Sequence, residues 1–129
     1  DLETITEPEE AKVVLGDGKV AVWLPAIARL DREKIPASWD VTSDSLAAWL
    51  ARMLNAGYLA LVKSVALTGP TVSAAQLVAA GVVDREFPTY LDNAAFQLRL
   101  YGREQYSRFR LALNGGDDAE GINSRIRAG

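Results

Sequence analysis

Three short stretches hold the residues best able to do chemistry. The run Ser38-Trp39-Asp40-Val41-Thr42-Ser43-Asp44-Ser45 packs two carboxylates and four hydroxyls into eight positions. Carboxylates there can hold a cationic substrate group, orient a lysine or take Mg2+ through water. A helix beginning at this point would also aim unpaired backbone amides at an anion. The same residues equally make a plain helix cap. The second stretch is Lys63-Ser64-Val65, at the end of the apolar run Tyr58-Leu59-Ala60-Leu61-Val62. A lysine at a strand end can neutralise a phosphate as a point charge, or it can lie along the surface with its ammonium in water. The third is Arg99, Arg103, Arg108 and Arg110, interleaved with Tyr101, Tyr106 and Phe109. That mixture resembles a small surface for single-stranded nucleic acid, but it also fits a strand edge or a subunit contact.

Composition narrows these options. The chain has 129 residues, of which 49% are hydrophobic and 24% charged, an ordinary balance for one globular domain. It holds 0 His and 0 Cys. Disulfides, structural zinc, thiol nucleophiles and histidine triads are therefore excluded within it. Fourteen basic residues against 17 acidic give a net charge of -3, which argues against a nucleic-acid partner. No apolar run is long enough to span a bilayer, so no membrane partner is expected. Asp1-Leu2-Glu3 with Glu7, Glu9 and Glu10 is no basic leader, and a cytoplasmic location is expected. There is neither a P-loop nor a G-x-G-x-x-G run.

The elements that must position these residues follow from periodicity. Residues 1–11 read as a loop or a short helix from about Glu9. Residues 12–15 and 19–24 read as strands joined by a Gly16-Asp17-Gly18 hairpin turn. Residues 26–30 suit a short helical turn. Leu46, Trp49, Leu50, Met53 and Leu54 fall at i, i+3, i+4, i+7 and i+8, which predicts a helix over 43–55, capped by Thr42 or Ser43 and stopped by Gly57. The following apolar run predicts a strand buried on both faces. Ser73 and Gln76 have capping-box spacing, opening a helix that Gly81 closes. A loop through Asp84, Phe87 and Pro88 leads to a helix expected over 92–101, and residues 108–113 alternate like a last strand. Residues 114–129, with four glycines, read as a flexible tail. Alternating strands and helices imply an α/β fold with helices packed on a mainly parallel sheet. Ligands of such sheets sit beyond the carboxyl ends of strands, which directs attention to Lys63 and to the start of the 43–55 helix.

Pro36-Ala37-Ser38-Trp39-Asp40-Val41-Thr42-Ser43-Asp44-Ser45-Leu46-Ala47-Ala48, followed by Leu61-Val62-Lys63-Ser64-Val65, resembles the amino acid kinase superfamily. That superfamily includes aspartate, acetylglutamate and uridylate kinases. With Ala80-Gly81-Val82-Val83-Asp84-Arg85-Glu86-Phe87-Pro88, the pattern looks most like the branch holding the (aminomethyl)furanylmethyl phosphate kinases of methanofuran biosynthesis. The resemblance spans residues 12–113. It implies a three-layer α/β/α fold, of which residues 1–113 are the nucleotide-side part, and an ATP- and Mg2+-dependent transfer to a small-molecule phosphoacceptor, such as a phosphorylated aminomethylfuran. Asp44 matches the aspartate that orders catalytic lysines around the transferred phosphoryl group. Asp40, Thr42 and Ser43 fall at the acceptor, and Lys63, Ser64 and Val65 at the nucleotide.

Such kinases begin with a lysine-bearing strand and glycine-rich loops near the phosphates. No such segment stands in this sequence, and Asp1 in place of Met reads as a processed chain or a fragment. The resemblance thus implies an incomplete domain, completed by an N-terminal half or by a second chain, and assembly into homo-oligomers. The alternative it leaves is a non-catalytic subunit of the same fold that binds a nucleotide or oxyanion and assembles.

Overall fold

The computed structural model describes residues 1–36, 38, 41–65 and 73–113. Its main core lies under one parallel strand pair. Strand β3 (Tyr58–Val62) pairs with β4 (Gln97–Tyr101), Tyr58 opposite Gln97 and Val62 opposite Tyr101. Side chains alternate across a strand, so Leu59, Leu61, Leu98 and Leu100 all point to one face and are buried there. The helices α3 (Ser43–Met53), α4 (Ala74–Ala79) and α5 (Phe87–Leu91) supply the other half of this core through Ala48, Ala51, Ala74, Leu77, Phe87 and Leu91. Tyr58, Ala60 and Val62 occupy the opposite face and are exposed. The strand expected to be buried on both sides is therefore exposed at Tyr58, Ala60 and Val62, because α3, α4 and α5 pack on the other face.

Helix α3 lies where the periodicity places it, but turned about its axis. Its core-facing side is the small-residue row Ser45, Ala48 and Ala51, whereas Leu46, Trp49 and Leu50 are only partly covered and Met53 is 43% exposed. Small side chains let the helix approach the strands closely, and the larger ones flank the contact. Trp49 stacks on Trp23 at 5.6 Å between ring centroids. Helix α4 has the expected capping box, with Ser73 Oγ accepting from Gln76 N at 3.1 Å and Gln76 Oε1 accepting from Ser73 N at 2.9 Å. Gly81 then takes a left-handed φ of 73°, which ends the helix at little cost for a residue without Cβ.

A second parallel pair joins β1 (Leu2–Ile5) to β2 (Val20–Trp23) through α1 (Ala11–Gly16). The expected hairpin at Gly16-Asp17-Gly18 is absent, and residues 12–15 are helical. Ala11 and Val14, three apart, are the pair that buries against Ile5, while Val13 and Leu15 stay exposed. A 3-10 turn at Pro8–Glu10 starts this helix, and Glu10 Oε1 accepts from the Thr6 and Glu7 amides at 3.2 and 2.9 Å. The short helix expected after Pro25 is α2 (Ile27–Arg32). Its Arg29 guanidinium ties the region together, donating to Glu7 and Glu9 at 2.8 Å and to Glu33 at 3.0 Å, and lying 5.8 Å from the Trp49 ring centroid.

Three further expectations change. The loop through Phe87 and Pro88 is the helix α5, since proline suits a first helical turn. The helix expected over 92–101 gives way to β4, where Leu98 and Leu100 alternate inward. Residues 108–113 belong to helix α6 (Tyr106–Leu113), not to a strand. Its Phe109 ring covers Tyr101 at 5.2 Å, and its alternate residues Leu111 and Leu113 are exposed. The described chain is thus mixed α/β with two short parallel sheets. The expected tail at 114–129 lies outside the described residues, and no described helix is long and apolar enough to cross a membrane.

Phe87 is fully buried and Leu113 is 71% exposed. Phe87→Ala is expected to lower unfolding free energy by about 3–5 kcal/mol, and Leu113→Ala to change it by less than about 0.5 kcal/mol, both read from urea denaturation.

Candidate functional site

Because β3 and β4 are parallel, their carboxyl ends share one edge, and the chain holds that edge by backbone bonds beyond the strands. Lys63 N donates to Tyr101 O at 2.8 Å, and Arg103 N donates to Val65 O at 2.9 Å. The Tyr106 hydroxyl donates to Lys63 O at 3.3 Å. Below this turn, buried Gln105 accepts from Gly102 N at 2.7 Å through Oε1. Lys63 is thereby fixed just past the strand, and its side chain turns to α3. Its Nζ lies 3.0 Å from both Asp44 carboxylate oxygens. The two side chains are 22% and 11% exposed, so the pair is partly shielded from water.

The start of α3 is held by a residue whose role the sequence reading did not assign. Thr42 takes the N-cap position but makes no side-chain bond to its own helix. The capping acceptor is Asp84, 42 residues further along. Its Oδ2 accepts from Thr42 N at 2.9 Å, Thr42 Oγ1 at 2.9 Å and Ser45 N at 3.1 Å. Its Oδ1 accepts from the Ser45 hydroxyl and from Glu86 N, the latter at 3.1 Å. Burial alone would push the Asp84 carboxyl up, but the bonds from Ser45 and Thr42 outweigh it and hold the group below the ordinary carboxylate value.

Of the residues singled out from the sequence, Asp44 and Lys63 are brought together. Ser64 and Val65 lie exposed in the turn beside them. Thr42 is engaged by Asp84, and Ser43 is exposed at the helix start. Asp40 lies outside the described residues. The anion position at the start of α3, expected for a ligand, is filled by the protein's own carboxylate. One signal for this was available: Thr42 and Ser45 in a polar run leave several donors for a distant acid, and Asp84 follows an apolar pair at the mouth of a Pro-started helix.

Chemically, the edge offers a lysine that can neutralise a phosphate and a carboxylate that can hold a cation or a proton. Among the described residues no three acidic side chains cluster to cage a metal, so a hard cation would need oxygens from a ligand in addition to Asp44. A cavity of about 150 Å3, lined by Arg52, Asn55, Asn93 and Phe96 among others, lies at the opposite end of α3 and includes neither Asp44 nor Lys63. Compared with known protein families and with curated proteins, the sequence matches none.

Asp84 has its pKa depressed by folding, so the stability it supplies is complete above the unfolded carboxylate value and is lost as pH falls through the lower folded value. Urea midpoints are expected to hold from pH 7 to 5 and to drop below about pH 4. Asp84→Asn is expected to cost about 2 kcal/mol at pH 7 and to flatten that acid-side drop relative to the unaltered protein.

Proposed function

We propose that this chain is the nucleotide-side part of an ATP-dependent small-molecule phosphotransferase of the amino acid kinase type, working in the cytoplasm. In this reading its parallel strand pairs belong to the sheet of a three-layer α/β/α domain. The observation that carries it is the Asp44–Lys63 pair, set at the carboxyl edge of a parallel sheet, where α/β folds receive ligands. Phosphoryl transfer needs charge neutralisation and positioning more than covalent help from the protein. A site free of histidine and cysteine can provide both.

The geometry constrains how this chain's residues act. With Asp84 filling the start of α3, the attraction for phosphate rests on Lys63 rather than on helix amides. Lys63 is paired with Asp44 before ligand arrives, so binding requires an exchange of partners: the ammonium turns to a phosphate oxygen, and Asp44 is left to face a cation. Mg2+ carried by the nucleotide suits that carboxylate and would neutralise phosphate charge there. Ser64 and Val65, exposed in the turn, would contact the nucleotide beside Lys63, whose own amide is taken by Tyr101 O. By the resemblance, Asp44 would organise the phosphate site and Asp40, Thr42 and Ser43 would serve the acceptor, with glycine-rich loops supplied by an N-terminal half or a second chain. The resemblance points to a phosphorylated aminomethylfuran as the acceptor class.

A second reading, a non-catalytic subunit that binds a nucleotide or an oxyanion, draws on the same pair. Among the described residues Asp44 takes the whole of the Lys63 ammonium's ion pairing, a resting arrangement that needs no acceptor site. Calorimetry separates the two when combined with an assay of transfer. The chain is expected to bind ATP-Mg2+, and Lys63→Ala is expected to weaken that binding about tenfold. Asp44→Asn is expected to lower phosphoryl transfer by the complete enzyme about 100-fold or more while its melting curve persists. Binding with no transfer to any phosphoacceptor favours the second reading, and undiminished turnover in Asp44→Asn contradicts the first.

A further inference from the structure

The outer face of the β3/β4 pair is unlike the outside of an ordinary parallel sheet, which is covered on both faces. Tyr58 is 60% and Val62 43% exposed there, and Leu111 and Leu113 at the end of α6 are exposed as well. Between them stands Arg99, opposite Ala60 and therefore on the same face. Its guanidinium lies 4.4 Å from the Tyr58 ring centroid, and its Nε is buried without any acceptor. Among the described residues no carboxylate pairs with this guanidinium, so it is open to an acid from elsewhere.

The complement of that face is found elsewhere on the same molecule. Helix α2 turns Arg29 inward to its three glutamates and leaves Ile27, Ala28 and Asp31 outside. Ile27 is 78% exposed, and Leu24, just ahead of the helix, 58%. Ile27 and Asp31 are four apart and share a helix face, and the Asp31 side chain forms no ion pair among the described residues. Among the described residues, one face is thus an apolar sheet with an unpaired cation. The other is an apolar helix with an unpaired anion.

We propose that a second copy of this chain docks on the outer face of the β3/β4 pair, laying its Leu24, Ile27 and Ala28 against Tyr58 and Val62 and its Asp31 against Arg99. Packing two β3/β4 faces on each other would set Arg99 against Arg99, a like-charge contact that costs affinity. The helix-on-sheet contact pairs opposite charges and covers apolar surface on both copies. A two-fold arrangement would carry it twice; a head-to-tail arrangement would repeat it along a ring or filament. The contact uses none of Asp44, Lys63 or Asp84, but it takes the face that the third layer of the proposed α/β/α domain would cover, so self-association through it and that layer exclude each other.

A charge exchange tests it by sedimentation velocity at about 1 to 100 µM protein. The unaltered chain is expected to self-associate in that range. Arg99→Glu and Asp31→Arg are each expected to raise the dissociation constant about tenfold or more, and the two together to recover most of the loss. Ile27→Glu, on an exposed helix position, is expected to weaken assembly in the same way and guards against misfolding of Arg99→Glu, with circular dichroism confirming the fold of each. A chain that stays monomeric throughout the range overturns the proposal. So does assembly that ignores these substitutions, or single losses that the double variant does not restore.

Discussion

The Asp84 carboxylate collects five hydrogen bonds, four of them from Thr42 and Ser45 at the start of α3 and one from Glu86 N. It fastens the start of the helix to the segment between α4 and α5, and so sets the rotation at which α3 meets the strands. At that rotation Ser45, Ala48 and Ala51 face the core and Asp44 faces the carboxyl edge, where Lys63 waits. The electrostatics of the edge follow. Asp84 spends the positive end of the helix on a carboxylate of the protein itself, and its partners are neutral donors. The mobile charge left for a ligand is the Asp44–Lys63 pair. For Lys63 to meet an arriving phosphate, it must first release its carboxylate.

Several parts of this arrangement were legible in the sequence because a local rule wrote them. The i, i+3, i+4 spacing marked α3, the Ser73/Gln76 capping box and Gly81 marked α4, and the apolar run marked β3. Lys63 and the 42–45 segment stood out as polar groups at the ends of those elements, and the fold brings them together. What stayed hidden was decided by long-range packing. Residues 12–15 are β-prone in composition, but β1 pairs with β2 in parallel, and a parallel pair demands a crossover rather than a hairpin. Residues 108–113 alternate like a strand, but Phe109 packs over Tyr101 from a helix. Asp84 capped α3 from 42 positions away, beyond any windowed reading.

The β3/β4 pair buries one face under α3, α4 and α5, so its carboxyl edge is backed by a firm core of Leu59, Leu61, Leu98 and Leu100, whereas the β1/β2 pair buries only Ile5. Positional precision at Lys63 comes from that core and from its backbone bonds to Tyr101 O and to the Tyr106 hydroxyl, not from the exposed loop residues Ser64 and Val65. The Arg29 cluster and the Trp23–Trp49 stack join the β1/β2 pair to the far flank of α3, away from Asp44. Exposed apolar residues on the outer strand faces leave room for further layers without disturbing the edge.

The central claim is that Asp44 and Lys63 form the part of this chain that receives a phosphate. The most direct measurement is a 15N-resolved NMR titration of the chain with ATP-Mg2+, following backbone amides and the Lys63 ammonium. The account predicts saturable shifts concentrated at 43–45, 63–65 and Tyr106, with the Lys63 ammonium moving most. Shifts gathered instead around Arg52, Asn55 and Asn93 at the other end of α3, or no saturable change at any site, would contradict it.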